Sequence, residues 1–256
     1  ELVKLADAKP VDIFTDEKTA FKVTPEMLNK AVTSKTKLII LCSPSNPTGA
    51  IYTEKELREI GKIVKKNDLY IIFDEIYEKL IFDNKKHFSM LKIDDIKDNV
   101  ISINGVSKSY AMTGWRIGYA VANEQITDAA HKIQSHMTSN PNSIAQKASV
   151  EAILGDQKEM MRMRDIFEQR RDEGFALVKK IPHTICYKPD GAFYFFVDFS
   201  YYFGKKFNKT VIKTNDDLCD FFISELKVAA ITGSAFGSPK HVRFSFATSN
   251  ERFKEG

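Results

Sequence analysis

Short apolar runs alternate with a helical pattern in the first half of this sequence, and this alternation limits the folds open to the chain. The runs KLIILC (37–42), YIIF (70–73) and VISI (100–103) have the length and composition of strands buried on both faces of a sheet. Residues 53–67 between the first two runs have a helical period and begin with Thr53 as a capping residue. This alternation predicts an α/β domain with a mostly parallel sheet and helices on both faces.

The second half of the sequence has a different pattern. Residues 156–181 read as a long charged helix with one apolar stripe. It is followed by strand-like runs and a helix: GAFYFFVDFS (191–200), a helix over 215–226, VAAI (228–231) and VRFSFA (242–247). We therefore predict two domains, a large one over 1–165 and a smaller α+β domain over 166–256.

Composition excludes several classes of protein. The formal net charge of +4 is spread along the chain rather than gathered in a basic block, which argues against nucleic acid as a partner. No apolar run is long enough to span a bilayer, so no membrane partner is expected. The cysteines Cys42, Cys186 and Cys219 are far apart and odd in number, which indicates reduced thiols and a cytoplasmic protein.

Polar side chains follow each predicted strand of the first half. Parallel sheets bind ligands beyond the carboxyl ends of their strands, so these side chains are candidates for one site. They are Asn46, Asp74, Tyr77, Ser107 and Lys108, with Arg116 arriving from the next turn. A P-loop is excluded because Ser107, not glycine, precedes Lys108. A metal is not expected, because His131 and His136 lie five residues apart and do not share a helix face.

This set of side chains suits pyridoxal 5'-phosphate. The aldehyde of that cofactor needs a lysine amine for a Schiff base, and its ring nitrogen needs an acid. Its phosphate needs an arginine or hydroxyl groups, and its phenolic oxygen needs hydrogen-bond donors. One residue or pair is present for each requirement: Lys108, Asp74, Arg116 with Ser107, and Tyr77 with Asn46.

Five motifs resemble those of the pyridoxal-phosphate-dependent aminotransferases of fold type I, in the bacterial aspartate aminotransferase-like branch. They occur in consistent order across the chain: SPSNPTGAIY (43–52), IIFDEIYEKL (71–80), SKSYAMTGWRIGY (107–119), PDGAFYFFVD (189–198) and GSAFG with VRFSFATS (233–249). The resemblance implies the pyridoxal-phosphate transferase fold type I. It also implies amino-group transfer between an amino acid, aspartate or glutamate, and a 2-oxo acid, in a homodimer.

The resemblance also implies a role for each candidate residue. Lys108 would form the Schiff base, and Asp74 would pair with the pyridine nitrogen. The remaining roles are the phenolic oxygen for Tyr77 and Asn46, the phosphate for Ser107 and Arg116, and the substrate for Asn46 and Arg243. A guanidinium fork at Arg243 also matches a carboxylate on general grounds.

Other interpretations remain open from the residues alone. Asp74 could cap a helix, Lys108 could lie on the surface, and Asn46 could simply shape an Asn-Pro turn. The same fold also serves pyridoxal-phosphate lyases and synthases, and ligand-sensing modules of transcription regulators. The chain is shorter than a complete aminotransferase, and we expect it to be truncated at both ends, without the final helix, and inactive by itself.

Overall fold

The computed structural model describes residues 2–207 and 210–255. Eight α-helices occur within these ranges: α1 Leu2–Leu5, α2 Pro25–Ala31, α3 Glu54–Lys66, α4 Glu124–Met137, α5 Ser143–Leu154, α6 Lys158–Val178, α7 Asn215–Phe221 and α8 Asn250–Glu255. Ten strands occur in the same ranges: β1 Leu38–Cys42, β2 Tyr70–Asp74, β3 Val100–Gly105, β4 Gly118–Val121, β5 Ile185–Cys186, β6 Tyr194–Asp198, β7 Lys206–Phe207, β8 Thr210–Val211, β9 Ile231–Thr232 and β10 His241–Ser245. Helix α7 continues as a π-helix over Phe222–Leu226, so the helix predicted for 215–226 is present in two forms.

The first sheet has the order β1-β2-β3-β4. Strands β1, β2 and β3 are mutually parallel, and β4 runs antiparallel to β3. In this register Cys42 lies beside Asp74, and Asp74 lies beside Ile103. The mostly parallel sheet is therefore confirmed, and the carboxyl ends of three strands meet at one edge.

Helix α3 covers one face of this sheet, as its sequence pattern predicts. The side chain of Thr53 accepts a hydrogen bond from the Glu56 backbone at 3.3 Å, and the Glu56 carboxylate accepts one from the Thr53 backbone at 2.7 Å. This reciprocal cap satisfies amide groups that the first helical turn leaves without partners. Leu57, Ile60 and Val64 are buried in the same core as the inward side chains of β2 and β3.

Strand β1 departs from the prediction that it is buried on both faces. Leu38 is 40% exposed and Ile40 is 55% exposed, whereas Ile39 and Leu41 pack against the core. The prediction is wrong for this strand because the described part of the chain covers the second face of the first sheet only partly. Tyr70 on the inner strand β2, which pairs with Leu38, is likewise 43% exposed.

The second sheet is antiparallel and has the order β5-β6-β10-β9. All five residues of β6 are buried, which confirms that the aromatic run of residues 194–203 supplies a sheet core. Phe167, Phe175 and Val178 of α6 pack against this core. The boundary predicted at residues 165 and 166 lies inside α6 and stays a prediction.

Arg171 joins α6 to the segment after β2 and to the start of the second sheet. Its side chain is fully buried, donates to both carboxylate oxygens of Asp83 at 2.7 and 2.9 Å, and donates to the Pro189 carbonyl at 3.2 Å. The guanidinium also lies 4.8 Å from the centre of the Phe82 ring. This arrangement fixes the two sheets to one helix.

The segment before α2 lies against strand β10. Glu17 contacts the buried imidazole of His241 at 2.8 Å, and Ser238 contacts the other ring nitrogen at 2.7 Å. Phe21 approaches His241 edge-on with ring centres 5.5 Å apart, and Phe196 stacks on it at 4.3 Å. Burial lowers the pKa of His241 from its ordinary value, although Glu17 acts in the opposite direction.

Two further expectations concern the whole chain. Among the described residues, no helix combines the length and the apolar character that crossing a membrane requires. The three cysteines are free thiols and half-buried. The expected absence of disulfide bonds therefore agrees with the described structure.

Candidate active site

The ends of β1, β2 and β3 bring three candidate residues to one edge of the first sheet. Asp74 is the last residue of β2, Asn46 follows β1 by four positions, and Lys108 follows β3 by three. Because the three strands are parallel and in register, their connections leave the sheet on the same side. The topology therefore places an acid, an amide and an amine at one edge of the first sheet.

Lys108 is half-buried and has no acidic partner. Its amino group lies 5.7 Å from the centre of the Phe193 ring, over its face. No hydrogen bond or ion pair joins this amine to another side chain in the described part of the chain. A partly buried lysine without a counterion is unusual, and its amine is available to a ligand.

Asp74 is a half-buried acid without a cation beside it. Its carboxylate accepts one hydrogen bond, from the Ile76 backbone at 3.0 Å. Burial raises the pKa of Asp74, and the neighbouring charge of Glu75 raises it further. A protonated nitrogen of a ligand would supply the positive charge that the described residues do not give to Asp74.

Tyr77 and Tyr194 share one hydrogen bond in the core of the site. Their hydroxyl oxygens are 2.8 Å apart, and both side chains are buried. Burial, and then the Tyr194 hydroxyl, raises the pKa of Tyr77. Tyr77 therefore stays a neutral phenol that can donate a hydrogen bond. Phe193 contacts Tyr77 edge-on with ring centres 5.4 Å apart, which connects this pair to Lys108.

Arg243 reaches the site from β10 and lies between two aromatic rings. Its guanidinium carbon is 4.4 Å from the centre of Tyr194 and 5.0 Å from the centre of Phe236. Nη1 donates to the side-chain oxygen of Asn46 at 2.8 Å, whereas Nε is buried and has no hydrogen-bond partner. A buried donor without a partner is costly, so this edge of the guanidinium suits an anion such as a carboxylate.

Ser107 and Arg116 are held together through Thr113. The Thr113 hydroxyl donates to the Ser107 carbonyl at 2.9 Å, and Arg116 Nη1 donates to the Thr113 carbonyl at 2.7 Å. Arg116 is exposed, has a φ of 56°, and lines a cavity of about 810 Å³ with Thr138 and residues 140–142. A non-glycine residue in the left-handed region is strained, and such strain is common at binding sites.

The structure therefore groups six of the seven candidate residues in two contact sets. Asn46, Arg243, Tyr77 and Lys108 are linked in series through Tyr194 and Phe193. Ser107 and Arg116 form the second set through Thr113, and Asp74 lies at the end of β2, three residues before Tyr77.

Sequence reasoning missed Phe193 and Tyr194. Both belong to an aromatic run that reads as sheet core, and both are indeed buried. The one available signal was the hydroxyl of Tyr194 within a run of phenylalanines. A buried tyrosine hydroxyl needs a hydrogen-bond partner.

Two clusters of the described residues carry potential metal ligands within 4.8 Å of one another. They are Glu17, Asp198 and His241, and Glu75, Glu78 and His87. In the first cluster the Lys240 amine already contacts Glu17 at 3.4 Å and Asp198 at 3.1 Å. In the second, Glu75 is buried and accepts a hydrogen bond from Ser102 at 2.6 Å and a contact from His87. These contacts satisfy the carboxylates without a metal.

Comparisons with known proteins agree on one family. Residues 1–255 match the model of the aminotransferase class I and II family. The chain is 44% identical over 256 residues to an aspartate aminotransferase of Bacillus subtilis (strain 168), which covers all of this chain and 64% of that protein. It is 42% identical over 257 residues to an asparagine–oxo-acid transaminase of Streptococcus mutans, which covers 99% of this chain and 64% of that protein.

Solved structures give the same result. An aspartate aminotransferase from Rhizobium meliloti superposes with a TM-score of 0.94 at 36% identity, over 99% of this chain and 64% of that one. An aromatic aminotransferase from Pyrococcus horikoshii superposes with a TM-score of 0.91 at 35% identity, over 99% of this chain and 66% of that one. The chain thus spans about 64% of the length of the curated relatives reported above.

Proposed function

Because this chain belongs to the aminotransferase class I and II family and has its fold type I, we propose that it binds pyridoxal 5'-phosphate and serves amino-group transfer. The transfer would run between an amino acid and a 2-oxo acid. Relatives named aspartate aminotransferase and asparagine–oxo-acid transaminase support aspartate or a close analogue as the amino donor. Family resemblance also supports a homodimer as the catalytically active oligomer.

The observation that carries this proposal is that two charged side chains at one edge of the sheet have no oppositely charged partner among the described residues. Lys108 has an amine without an acidic partner, and Asp74 has a half-buried carboxylate without a cation. Neither charge is paired with an opposite charge in the described part of the chain. A ligand that offers an aldehyde to the amine and a protonated ring nitrogen to the acid satisfies both.

When bound, pyridoxal phosphate supplies an electron sink for the electrons left behind when the substrate Cα loses its proton. Lys108 would hold the cofactor and, once its amine is free, take that proton through Nζ as a general base. Asp74 would hold the proton on the ring nitrogen by accepting its hydrogen bond. Ser107 and Arg116 would bind the phosphate.

Hydrogen bonds already present define how the other residues would contact their ligands. The side-chain oxygen of Asn46 accepts from Arg243, so its amide nitrogen is free to donate to the phenolic oxygen of the cofactor. Tyr77 is a neutral phenol and would donate to the same oxygen. The Nε edge of Arg243, which has no hydrogen-bond partner among the described residues, would bind the substrate carboxylate.

Substitution of Lys108 tests the proposal directly. With pyridoxal phosphate added, the protein of natural length should develop long-wavelength absorbance and transfer amino groups from aspartate to 2-oxoglutarate. Lys108→Ala should lose both, whereas Lys62→Ala, which removes an exposed lysine paired with Glu59, should keep both. A borohydride-trapped cofactor adduct of unchanged yield in Lys108→Ala would refute the assignment.

Asp74 provides a second test that separates binding from chemistry. Asp74→Ala should still bind the cofactor measurably but slow amino-group transfer by about 100-fold or more, because a neutral pyridine accepts electrons poorly. A rate close to that of the unsubstituted protein would mean that Asp74 only caps the turn at Ile76. Formation of a different product from aspartate, such as an elimination product, would favour a lyase of the same fold.

A further inference from the structure

Tyr194 lies at the centre of the candidate site, although no role has been assigned to it so far. It is the first residue of β6 and is 6% exposed. Its hydroxyl is 2.8 Å from that of Tyr77, and its ring face lies 4.4 Å from the guanidinium carbon of Arg243. One side chain therefore contacts the residue proposed for the cofactor and the residue proposed for the substrate.

The shared hydrogen bond between the two tyrosines has a direction. Each hydroxyl carries one proton, so only one of the pair donates to the other. The Tyr194 hydroxyl raises the pKa of Tyr77, which corresponds to Tyr77 as the donor in this pair. Once Tyr77 donates its proton to the phenolic oxygen of the cofactor, the bond must reverse, and Tyr77 then accepts from Tyr194. Tyr77 is the only hydrogen-bond partner of the Tyr194 hydroxyl in the described part of the chain. A hydroxyl that accepts a hydrogen bond also becomes a better donor, so Tyr194 strengthens the bond that Tyr77 makes.

The ring of Tyr194 acts on Arg243 in a different way. Contact between the ring face and the guanidinium face orients the plane of the cation, and Phe236 supports the guanidinium at 5.0 Å. Nη1 is held by Asn46, and contact with the two rings restricts rotation of the guanidinium plane. The Nε edge, which has no hydrogen-bond partner among the described residues, is thereby kept in one orientation for a carboxylate.

We propose that Tyr194 is a positioning residue that orients both the hydroxyl of Tyr77 and the guanidinium of Arg243. This inference rests on the proposed function and adds to it. The two contacts are made by different parts of the side chain, the hydroxyl and the ring face. Substitutions can therefore separate them.

The test uses the protein of natural length with three substitutions. Tyr194→Phe removes the hydroxyl and keeps the ring, and Tyr194→Met removes both at similar volume. Tyr202→Phe is the matched control. It also deletes a tyrosine hydroxyl, but this hydroxyl donates to the Pro182 carbonyl and contacts none of the candidate site residues. One measurement is the pH titration of the absorbance of the lysine–cofactor chromophore. The other is the affinity for succinate of the cofactor-free protein, from the shift of its thermal unfolding midpoint.

The expected results differ between the variants. Tyr194→Phe should raise the midpoint of the chromophore titration by about 0.3 to 1 pH unit, because the phenolic oxygen loses stabilisation as an anion. Its succinate affinity should remain unchanged. Tyr194→Met should show the same shift and should also bind succinate about 2- to 30-fold more weakly. Tyr202→Phe should match the unsubstituted protein in both measurements.

Two outcomes overturn the inference and are distinguishable. If the unsubstituted protein forms no chromophore with pyridoxal phosphate, the proposed function fails and this inference fails with it. If the chromophore forms and Tyr194→Phe titrates like Tyr202→Phe, the proposed function stands and the inference alone is wrong. Should Tyr194→Met fail to fold, Tyr194→Phe still decides, because the proposal requires its shift.

Discussion

Substitution of Gly49 tests whether close backbone contact holds the loop after β1 against the second sheet. Gly49 has a φ of 70°, and a Cβ added there would lie 2.5 Å from both the Gly191 carbonyl oxygen and Pro189 Cβ. The carbonyl of Gly49 accepts hydrogen bonds from the backbones of Asp190 and Gly191 at 3.0 and 2.9 Å. A side chain at this position therefore has to push the loop away from residues 189–191.

The size of the effect follows from two separate costs. An alanine in the left-handed region costs about 1–2 kcal/mol, and overpacking against backbone costs about 1–3 kcal/mol more. Gly204 provides the matched control, because its φ is 83° and no atom lies within 4 Å of its added Cβ. Gly204→Ala should therefore show the backbone cost alone. Gly114 also has open space but no positive φ, so Gly114→Ala should be close to neutral.

Thermal unfolding of the three variants measures these differences. A loss of 1 kcal/mol lowers the midpoint by about 2–4 °C for a protein of this size. Gly49→Ala should thus fall by about 4–20 °C and Gly204→Ala by about 2–8 °C. Because the loop carries Asn46, Gly49→Ala should also weaken carboxylate binding through the Asn46–Arg243 contact. Equal losses in Gly49→Ala and Gly204→Ala would show that the contact with residues 189–191 contributes nothing.

Three further predictions concern stability. Arg171→Met should lower the free energy of unfolding by about 2–4 kcal/mol, with Asp83, 41% exposed, regaining water. Arg164→Met, on the same helix but with a side chain that is 35% exposed, should lose less than about 1 kcal/mol in the same urea titration. Burial lowers the pKa of His241 below 6.5, so stability is present above that pH and is lost as the pH falls through the folded-state pKa. Thermal midpoints should therefore fall more between about pH 7.5 and 5 in the unsubstituted protein than in His241→Gln, and equal falls would contradict this. Thr53→Ala should cost about 1 kcal/mol of unfolding free energy by removing the cap of α3, and an unchanged urea midpoint would argue against the cap.

Local patterns in the sequence were sufficient for most of the fold. Helix α3 could be predicted because its cap and apolar face lie within 13 consecutive residues, and strands β2 and β3 because their runs are short and apolar. The exposure of Ile40 could not be predicted, since it depends on what covers the second face of the sheet. The burial of Arg171 could not be predicted either. Its neighbours in α6 are charged, and its carboxylate partner Asp83 is 88 positions away.

The part of the candidate site that depends on strand order could be predicted from the sequence. The side-chain contacts between the two sheets could not. Asp74 ends β2 and Lys108 follows β3, so their position at the same edge of the sheet follows from the strand order. Tyr194 belongs to an antiparallel strand of the other sheet, and its contact with Tyr77 spans 117 positions. No periodicity within β6 distinguishes a tyrosine that fills space from one that also shares a hydrogen bond.

The contact between Glu17 and His241 has a consequence for how the chain folds during synthesis. These two residues are 224 positions apart, so Glu17 is made long before its partner. At typical rates of translation the interval is about 10–45 s, and Phe21 lacks its ring contact with His241 for as long. The contacts of Glu17 and Phe21 with His241 therefore cannot form until β10 has been synthesised. Contacts this distant in sequence also slow folding after release from the ribosome.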